Sequence, residues 1–153
     1  MKIACDLANI SIQRGGGPFG AVIVHNDTNE IIGKGHNMVT IENDPTLHAE
    51  IVAIRNATRL INNFQLSNCT LYTSCEPCPM CLSACYWARI PTIYYANTKT
   101  DAKNIGFDDA FIYEEFAKES NNRSINMIHL YECNEYAKKT FNDWNEKENK
   151  IPY

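Results

Sequence analysis

The sequence lacks any run of 18 or more apolar residues, the length that a membrane-spanning helix requires, so no membrane contact is predicted. It also lacks a signal-peptide core, because Asp6, Asn9 and Gln13 interrupt the apolar positions at the N-terminus. We therefore expect a cytoplasmic protein. Positive charge is scarce: 14 Lys and Arg stand against 18 Asp and Glu, and the net charge is −4. This balance argues against nucleic acid as a partner and favours a small neutral substrate.

Internal repeats, low-complexity tracts and linkers are absent as well, which for 153 residues predicts a single domain over residues 1–153. Cysteine, in contrast, is abundant. Four of the seven cysteines lie close together in the chain, at Cys75, Cys78, Cys81 and Cys85. Clustered cysteines in a chain without a signal segment favour metal binding or catalysis over disulfides.

The hydrophobic pattern alternates between strands and helices. Strand character is found at residues 19–24, 31–35, 69–73, 92–96 and 126–133, and helical spacing at residues 48–61, 78–88, 108–118 and 134–147. A short amphipathic segment at the N-terminus ends at a glycine-rich stop signal, residues 15–18. This order predicts an α/β fold, a three-layer α/β/α sandwich with a mixed sheet of about five strands.

Two short motifs offer metal-ligand chemistry. The sequence HAE begins at His48, and PCPMC, which contains Cys78 and Cys81, follows about thirty residues later. An H-x-E motif followed by P-C-x-x-C is the signature of zinc deaminases. Cys78 and Cys81 are three residues apart, so the beginning of a helix would place both sulfurs on one face, where the helix dipole favours thiolate. With His48 as the third ligand, one Zn²⁺ per chain would keep one coordination position open, which is the catalytic arrangement.

Glu50 lies two residues after His48 and therefore does not share its helix face. We expect this carboxylate to act beside the metal ion as a proton shuttle. It would accept a proton from water and deliver it to a ring nitrogen during hydrolytic deamination.

An iron–sulfur electron-transfer protein is the alternative from a different class. The four clustered cysteines have the spacing C-x₂-C-x₂-C-x₃-C of a bacterial ferredoxin cluster. Tyr86, however, stands where a proline usually follows the last cysteine, and this alternative leaves His48 and Glu50 without a role. We therefore expect Cys75 and Cys85 to be packing residues.

Segments across nearly the whole chain resemble the bacterial guanine deaminases of the cytidine deaminase superfamily. They are GGPFGAVIV (16–24), NDPTLHAE (43–50), LYTSCEPCPMC (71–81), YWAR (86–89) and GFDDAFIY (106–113). The first and third segments are shared across the superfamily, whereas the last segment and the final tyrosine indicate guanine. The resemblance implies a cytidine deaminase-like fold and a zinc hydrolase acting on the C–N bonds of a cyclic amidine, which converts the purine base guanine to xanthine and ammonia.

The resemblance also implies roles for further residues. Phe19 would pack near the base, Asn37 would hydrogen-bond its edge, and the backbone N–H of Ala49 would hold a ring carbonyl. Asp109 would be a second catalytic carboxylate. Tyr153 would close the pocket of the neighbouring subunit in a homodimer that exchanges its C-terminal segment.

Local interpretations and other substrates remain open at this point. Phe19 also fits an apolar core, Asn37 a turn, Asp109 the N-cap of a helix that begins at Ala110, and Tyr153 a loose chain end. Guanosine, cytosine and cytidine deaminases share the zinc motif, as do tRNA adenosine deaminases, which should show a basic binding face.

Overall fold

The computed structural model describes all 153 residues, and its helices and strands alternate along the chain. The strands are β1 (Gly20–His25), β2 (Ile31–His36), β3 (Cys69–Cys75) and β4 (Thr92–Asn97). The helices are α1 (Lys2–Gln13), α2 (Val39–Glu42), α3 (Ala49–Ile61), α4 (Pro79–Trp87), α5 (Lys99–Asn104), α6 (Ala110–Ala117) and α7 (Asn134–Glu146). Single 3₁₀ turns lie at Ser120–Asn122 and Tyr131–Cys133.

Four strands form one mixed sheet in the order β2-β1-β3-β4. The strand β1 pairs antiparallel with both β2 and β3, and β3 pairs parallel with β4 across the helix α4. The predicted α/β fold with a mixed sheet is confirmed, but the expected count of about five strands is one too high.

The strand predicted at residues 126–133 does not form. In its place the chain is irregular and ends in the 3₁₀ turn Tyr131–Cys133. Apolar residues here come in adjacent pairs, Met127 with Ile128 and Leu130 with Tyr131, and all four side chains are exposed. A strand needs a neighbour to satisfy its backbone groups, and adjacent apolar residues do not give the period-two pattern that one buried face requires.

The register of β1 and β2 shows which helix covers each face of the sheet. Gly20 of β1 lies against α1, where an added Cβ would overlap the backbone of Ala4. Its neighbour Ala21 is paired with Gly35, where an added Cβ would overlap the backbone of α3. Successive residues of a strand point to opposite faces, so α1 and α3 lie on opposite sides of the sheet. This is the predicted three-layer arrangement.

The buried core lies on the face that α3 covers. Alanines of α3 at 0% exposure pack against Ile23 of β1, Leu71 of β3 and Cys85 of α4. The predicted helix at residues 48–61 and the predicted strands at 19–24, 31–35, 69–73 and 92–96 agree with the observed elements to within one or two residues. None of the helices combines the length and the apolar composition needed to cross a lipid bilayer.

The chain divides into two compact units, Met1–Phe111 and Ile112–Tyr153. The first contains the sheet and the predicted metal ligands. In the second, the carboxylate of Glu115 accepts hydrogen bonds from Lys118 and from the backbone and hydroxyl of Ser124. These bonds lower the pKa of Glu115 to about 2. The expectation of a single domain over residues 1–153 stays a prediction.

Candidate metal centre and active site

The three predicted metal ligands lie at the beginnings of two helices. His48 is the N-cap residue of α3 and Cys78 is the N-cap residue of α4, both with extended backbone angles. Pro79 follows as the first residue of α4, where its missing N–H costs no hydrogen bond, and Cys81 lies in the first turn. Both helix N-termini therefore direct their positive dipole ends toward one point, which favours anionic sulfur there.

The donor atoms of these three residues are close enough to share one ion. The Nδ1 atom of His48 lies 3.5 Å from the Sγ atom of Cys78 and 3.5 Å from that of Cys81. All three donor atoms lie within 4.8 Å of one another. Tetrahedral zinc, with bonds of about 2.0–2.1 Å to nitrogen and about 2.3 Å to sulfur, separates those ligand atoms by about 3.5 Å. The residues thus fit zinc in number, donor type and spacing.

The protonation of the group reflects this crowding of donors. Hydrogen bonds from Cys81 and His48 lower the pKa of Cys78 to about 4, so that Cys78 is a thiolate. The bond that Cys81 donates to Cys78, together with burial, raises the pKa of Cys81. The pKa of His48 is also raised, mainly by its hydrogen bond to Cys78. The three side chains are linked by hydrogen bonds to one another, and a divalent cation that binds here would displace the protons of these bonds.

Glu50 lies next to the ligands but outside the donor group. Its side chain is buried, at 6% exposure, and burial raises the pKa of the carboxyl. The Oε2 atom lies 3.4 Å from the Sγ atom of Cys81, and Oε1 accepts a hydrogen bond of 3.1 Å from the hydroxyl of Thr73. The carboxyl group therefore reaches the metal centre without being one of the three donors.

The other two clustered cysteines are not part of this group. Cys75 and Cys85 are buried, and Cys75 directs its sulfur toward the carbonyl oxygen of Thr98 at 3.6 Å. Burial raises the pKa of Cys75 to about 11 and that of Cys85 to about 12, so both are neutral thiols. An iron–sulfur cluster needs four converging thiolates, and this arrangement offers only two.

Two of the predicted pocket residues lie next to the ends of strands, Phe19 directly before β1 and Asn37 directly after β2. The ring of Phe19 meets the ring of Phe107 edge-on, with centroids 4.9 Å apart. Asn37 is buried, and its Oδ1 atom accepts hydrogen bonds from the backbone N–H groups of Gly17 and Val39. These bonds fix the amide so that its NH₂ group is the edge left for other partners. Ala49 is fully buried in the first turn of α3, where backbone N–H groups lack helical acceptors.

Asp109 and its neighbour Asp108 have different surroundings. Asp108 accepts the N–H of Ala110 at 3.0 Å and forms an ion pair with Lys103 at 3.0 Å, so the contact at the start of α6 belongs to Asp108. Burial, and next the negative charge of Cys78, raise the pKa of Asp109. Asp109 is therefore within electrostatic range of the metal centre. Tyr153 belongs to the second unit and is 75% exposed.

Thr73 is a site residue that motif analysis does not identify. It is fully buried on β3, on the same face as Cys69 and Leu71, and it contacts Glu50. A buried hydroxyl on an otherwise apolar face of a strand requires a polar partner. That pattern is visible in the sequence, although it does not name the partner.

Comparison with known proteins agrees with this geometry. Residues 1–97 match the model of the cytidine and deoxycytidylate deaminase zinc-binding region. Guanine deaminase of Bacillus subtilis (strain 168) is 53% identical over 125 residues, which cover 82% of this chain and 77% of the relative. A tRNA-specific adenosine deaminase of Haemophilus influenzae is 40% identical over 114 residues, covering 71% of this chain and 65% of the relative.

A solved structure of a guanine deaminase is also similar to this chain. The X-ray structure of guanine deaminase from Bacillus subtilis superimposes with a TM-score of 0.89 at 48% identity, covering 99% of this chain and 95% of the other. The likeness in fold therefore extends over nearly the whole length, and the likeness in sequence over most of it. The chain is a zinc-binding aminohydrolase that belongs to the guanine deaminase family of the cytidine deaminase superfamily.

Proposed function

We propose that this protein hydrolyses guanine to xanthine and ammonia, a reaction of purine metabolism. The observation that supports it most is the buried carboxylate of Glu50, 3.4 Å from the sulfur of Cys81 and outside the set of metal donors. A closed structural zinc site needs no such group, whereas a hydrolytic site needs one that moves protons. The identity of 53% to a guanine deaminase supports the choice of base.

In the reaction, a water oxygen adds to C2 of the base, and the bond from C2 to the exocyclic nitrogen breaks. Zinc held by His48, Cys78 and Cys81 supplies Lewis acidity, which lowers the pKa of water toward about 7. Glu50 accepts the proton that water loses and delivers it to a ring nitrogen. The carboxylate then takes the second proton, from the hydroxyl group now on C2, and passes it to the amino group, which leaves as ammonia while the C2–O bond becomes a carbonyl.

The predicted pocket residues offer hydrogen-bond donors. The Oδ1 atom of Asn37 accepts hydrogen bonds from two backbone N–H groups, so its NH₂ group would be the part that donates to a substrate acceptor. The backbone N–H of Ala49 is a second donor at the start of α3. Both donors suit the acceptors on the edge of guanine, which are a ring carbonyl and unprotonated ring nitrogens. Phe19 offers an apolar face to the flat ring.

Asp109 and Tyr153 complete the proposal. Asp109 would act as a second catalytic carboxylate. Several atoms exchange protons while ammonia is released, and Asp109 would serve those that Glu50 does not reach. Tyr153 would close the pocket of a neighbouring subunit in a domain-swapped homodimer. Supporting this, the second unit exposes twelve large apolar side chains, and large exposed apolar patches mark interaction sites; the twelve are Ile112, Phe116, Ile125, Met127, Ile128, Leu130, Tyr131, Tyr136, Phe141, Trp144, Ile151 and Tyr153. We place the protein in the cytoplasm, where thiol ligands remain reduced.

Deamination of a tRNA adenosine is the second candidate, because several relatives of 40–46% identity are tRNA-specific adenosine deaminases. A net charge of −4 disfavours it, since a polynucleotide substrate calls for a basic face.

The test is ammonia release by the zinc-loaded protein from guanine, guanosine, cytosine, cytidine and adenine, and from a tRNA anticodon stem-loop. We expect guanine to have the highest kcat/KM in the panel. Faster turnover of a pyrimidine or a nucleoside would overturn the choice of base. Turnover of the stem-loop that falls steeply with salt would overturn it in favour of the tRNA candidate.

A further inference from the structure

The hydroxyl of Thr73 contacts Glu50, the residue proposed to be the proton shuttle. Thr73 has 0% exposure and donates a hydrogen bond of 3.1 Å to Oε1 of Glu50. On β3 it is paired with Ala21 of β1, on the face of the sheet that α3 covers. The contact therefore joins the first turn of α3 to the central strands of the sheet.

Metal binding changes which donors Glu50 has. In the structure its Oε2 atom is 3.4 Å from the thiol of Cys81, and the carboxylate also contacts its own backbone N–H. As a zinc ligand, Cys81 is a thiolate and has no hydrogen to donate. Of the two side-chain donors, only Thr73 then remains, and it contacts the oxygen farther from the metal ligand.

We propose that Thr73 is a positioning residue for proton transfer: it holds Oε1 of Glu50, so that Oε2 faces the metal centre as the oxygen that exchanges protons. This inference rests on the proposed function, in which Glu50 is the shuttle. A buried carboxylate without this donor would rotate toward other partners, because an unsatisfied buried charge is costly. A role in the chemical step, rather than in base binding, predicts an effect on kcat with little change in KM.

The experiment compares Thr73→Val, which keeps the shape and removes the hydroxyl, with Thr73→Ser, which keeps the hydroxyl. Thr70→Val is the matched control, because Thr70 is also buried on β3 and its hydroxyl binds Asn26 at 2.7 Å, with no contact to Glu50. We expect Thr73→Val to lower kcat on guanine about tenfold or more, the scale of one lost hydrogen bond to a charge, with KM nearly unchanged. Thr73→Ser should recover most of the rate, and Thr70→Val should match the unaltered protein.

Two further measurements separate positioning from packing. A crystal structure of Thr73→Val should show the Glu50 carboxylate rotated from its observed position, while metal analysis finds one zinc per chain. In a Glu50→Gln background, Thr73→Val should add almost no further loss, because the group it positions is already removed. If the valine variant fails to fold, Thr73→Ser tests the same contact, because serine keeps the hydroxyl. The serine variant must then retain most of the activity.

An unchanged kcat for Thr73→Val, or an unmoved carboxylate, would overturn the inference. Equal losses in Thr73→Ser and Thr73→Val would do the same, since packing and not the hydroxyl would then matter. Failure of the proposed function has a different signature, namely no ammonia release from guanine by the unaltered protein. In that case the Glu50 position in the variant crystal still tests the role of Thr73.

Discussion

The metal-donor residues are placed by the ends of helices. His48 and Cys78 are N-cap residues, and Cys81 lies within the first turn of α4. Local spacing determines these positions, so the motif is sufficient to predict the ligands from the sequence. The contact between Thr73 and Glu50 instead depends on how β3 pairs with β1 and how α3 crosses the sheet, and no local pattern contains that information.

The donor group predicts a selective loss of metal. Cys78→Ala should reduce zinc from about one ion per chain to a small fraction, because two donors hold zinc far more weakly than three. The matched control is Cys85→Ala, the same change at a buried cysteine outside the donor group, which should retain zinc. Elemental analysis with an assay for acid-labile sulfide measures both. Iron with sulfide, or equal zinc loss in both variants, would contradict the assignment.

At the scale of elements, close contact between α3 and β2 sets the position of the site. Gly33 and Gly35 of β2 lie directly under the helix backbone, and the facing residues of α3 are alanines at 0% exposure: Ala49, Ala53 and Ala57. Small residues on both surfaces let the backbones approach closely. The first turn of α3, which contains Glu50 and follows His48, is therefore held at a defined height above the sheet.

Gly35→Ala should disturb both stability and activity. The new Cβ would overlap the carbonyl oxygen of Ala49 and lie 2.5 Å from the backbone nitrogen of Ala53, so α3 would have to move. We expect a loss of about 1–3 kcal/mol in the free energy of unfolding, with a fall in kcat/KM on guanine. Lys34→Ala, at the exposed neighbouring position, should change neither quantity. Denaturant unfolding measures the stability of both variants, and steady-state kinetics measures their activity. A Gly35→Ala protein that is as active and as stable as Lys34→Ala would refute the packing argument.

Most elements can be predicted from hydrophobic period. The exceptions are the helices α2 and α5, which are not predicted, and the strand expected at residues 126–133, which does not form. The helix α5 begins with a capping box, in which Thr98 and Asp101 exchange hydrogen bonds. This start signal can be found in the sequence, but the segment that follows it has no apolar periodicity. The strand expected at residues 126–133 fails for the opposite reason. Its apolar content suggests a strand, but strand formation depends on a pairing partner that sequence pattern alone does not supply.

At the scale of the whole molecule, the fold is predictable and the assembly is not. The order of strands and helices is sufficient to predict a three-layer α/β sandwich, because few layer architectures accept that order. Whether chains exchange their C-terminal segments depends on contacts with a second copy. The exposed apolar side chains of the second unit support such an exchange without specifying its geometry.

Complementation tests the proposed domain-swapped dimer. Asp109→Asn and a deletion of residues 151–153 should each depress turnover of guanine while zinc content and melting temperature stay nearly unchanged. If one chain supplies Asp109 and the other Tyr153, co-expression of the two variants should restore about one quarter of the pockets, one in each mixed dimer. A chain with both changes, co-expressed with Asp109→Asn, restores none and is the control. Full activity of both single variants would remove Asp109 and Tyr153 from the site.

The central claim is that Glu50 moves protons beside a zinc ion that His48, Cys78 and Cys81 hold. Glu50→Gln is the most direct test, because the amide keeps the shape of the side chain but does not relay a proton. We predict that xanthine formation from guanine falls about 10²-fold or more, while zinc content and melting temperature match those of the unaltered protein. Turnover within a few-fold of the unaltered protein, or loss of zinc together with activity, would contradict the claim, since Glu50 would then be a bystander or a ligand.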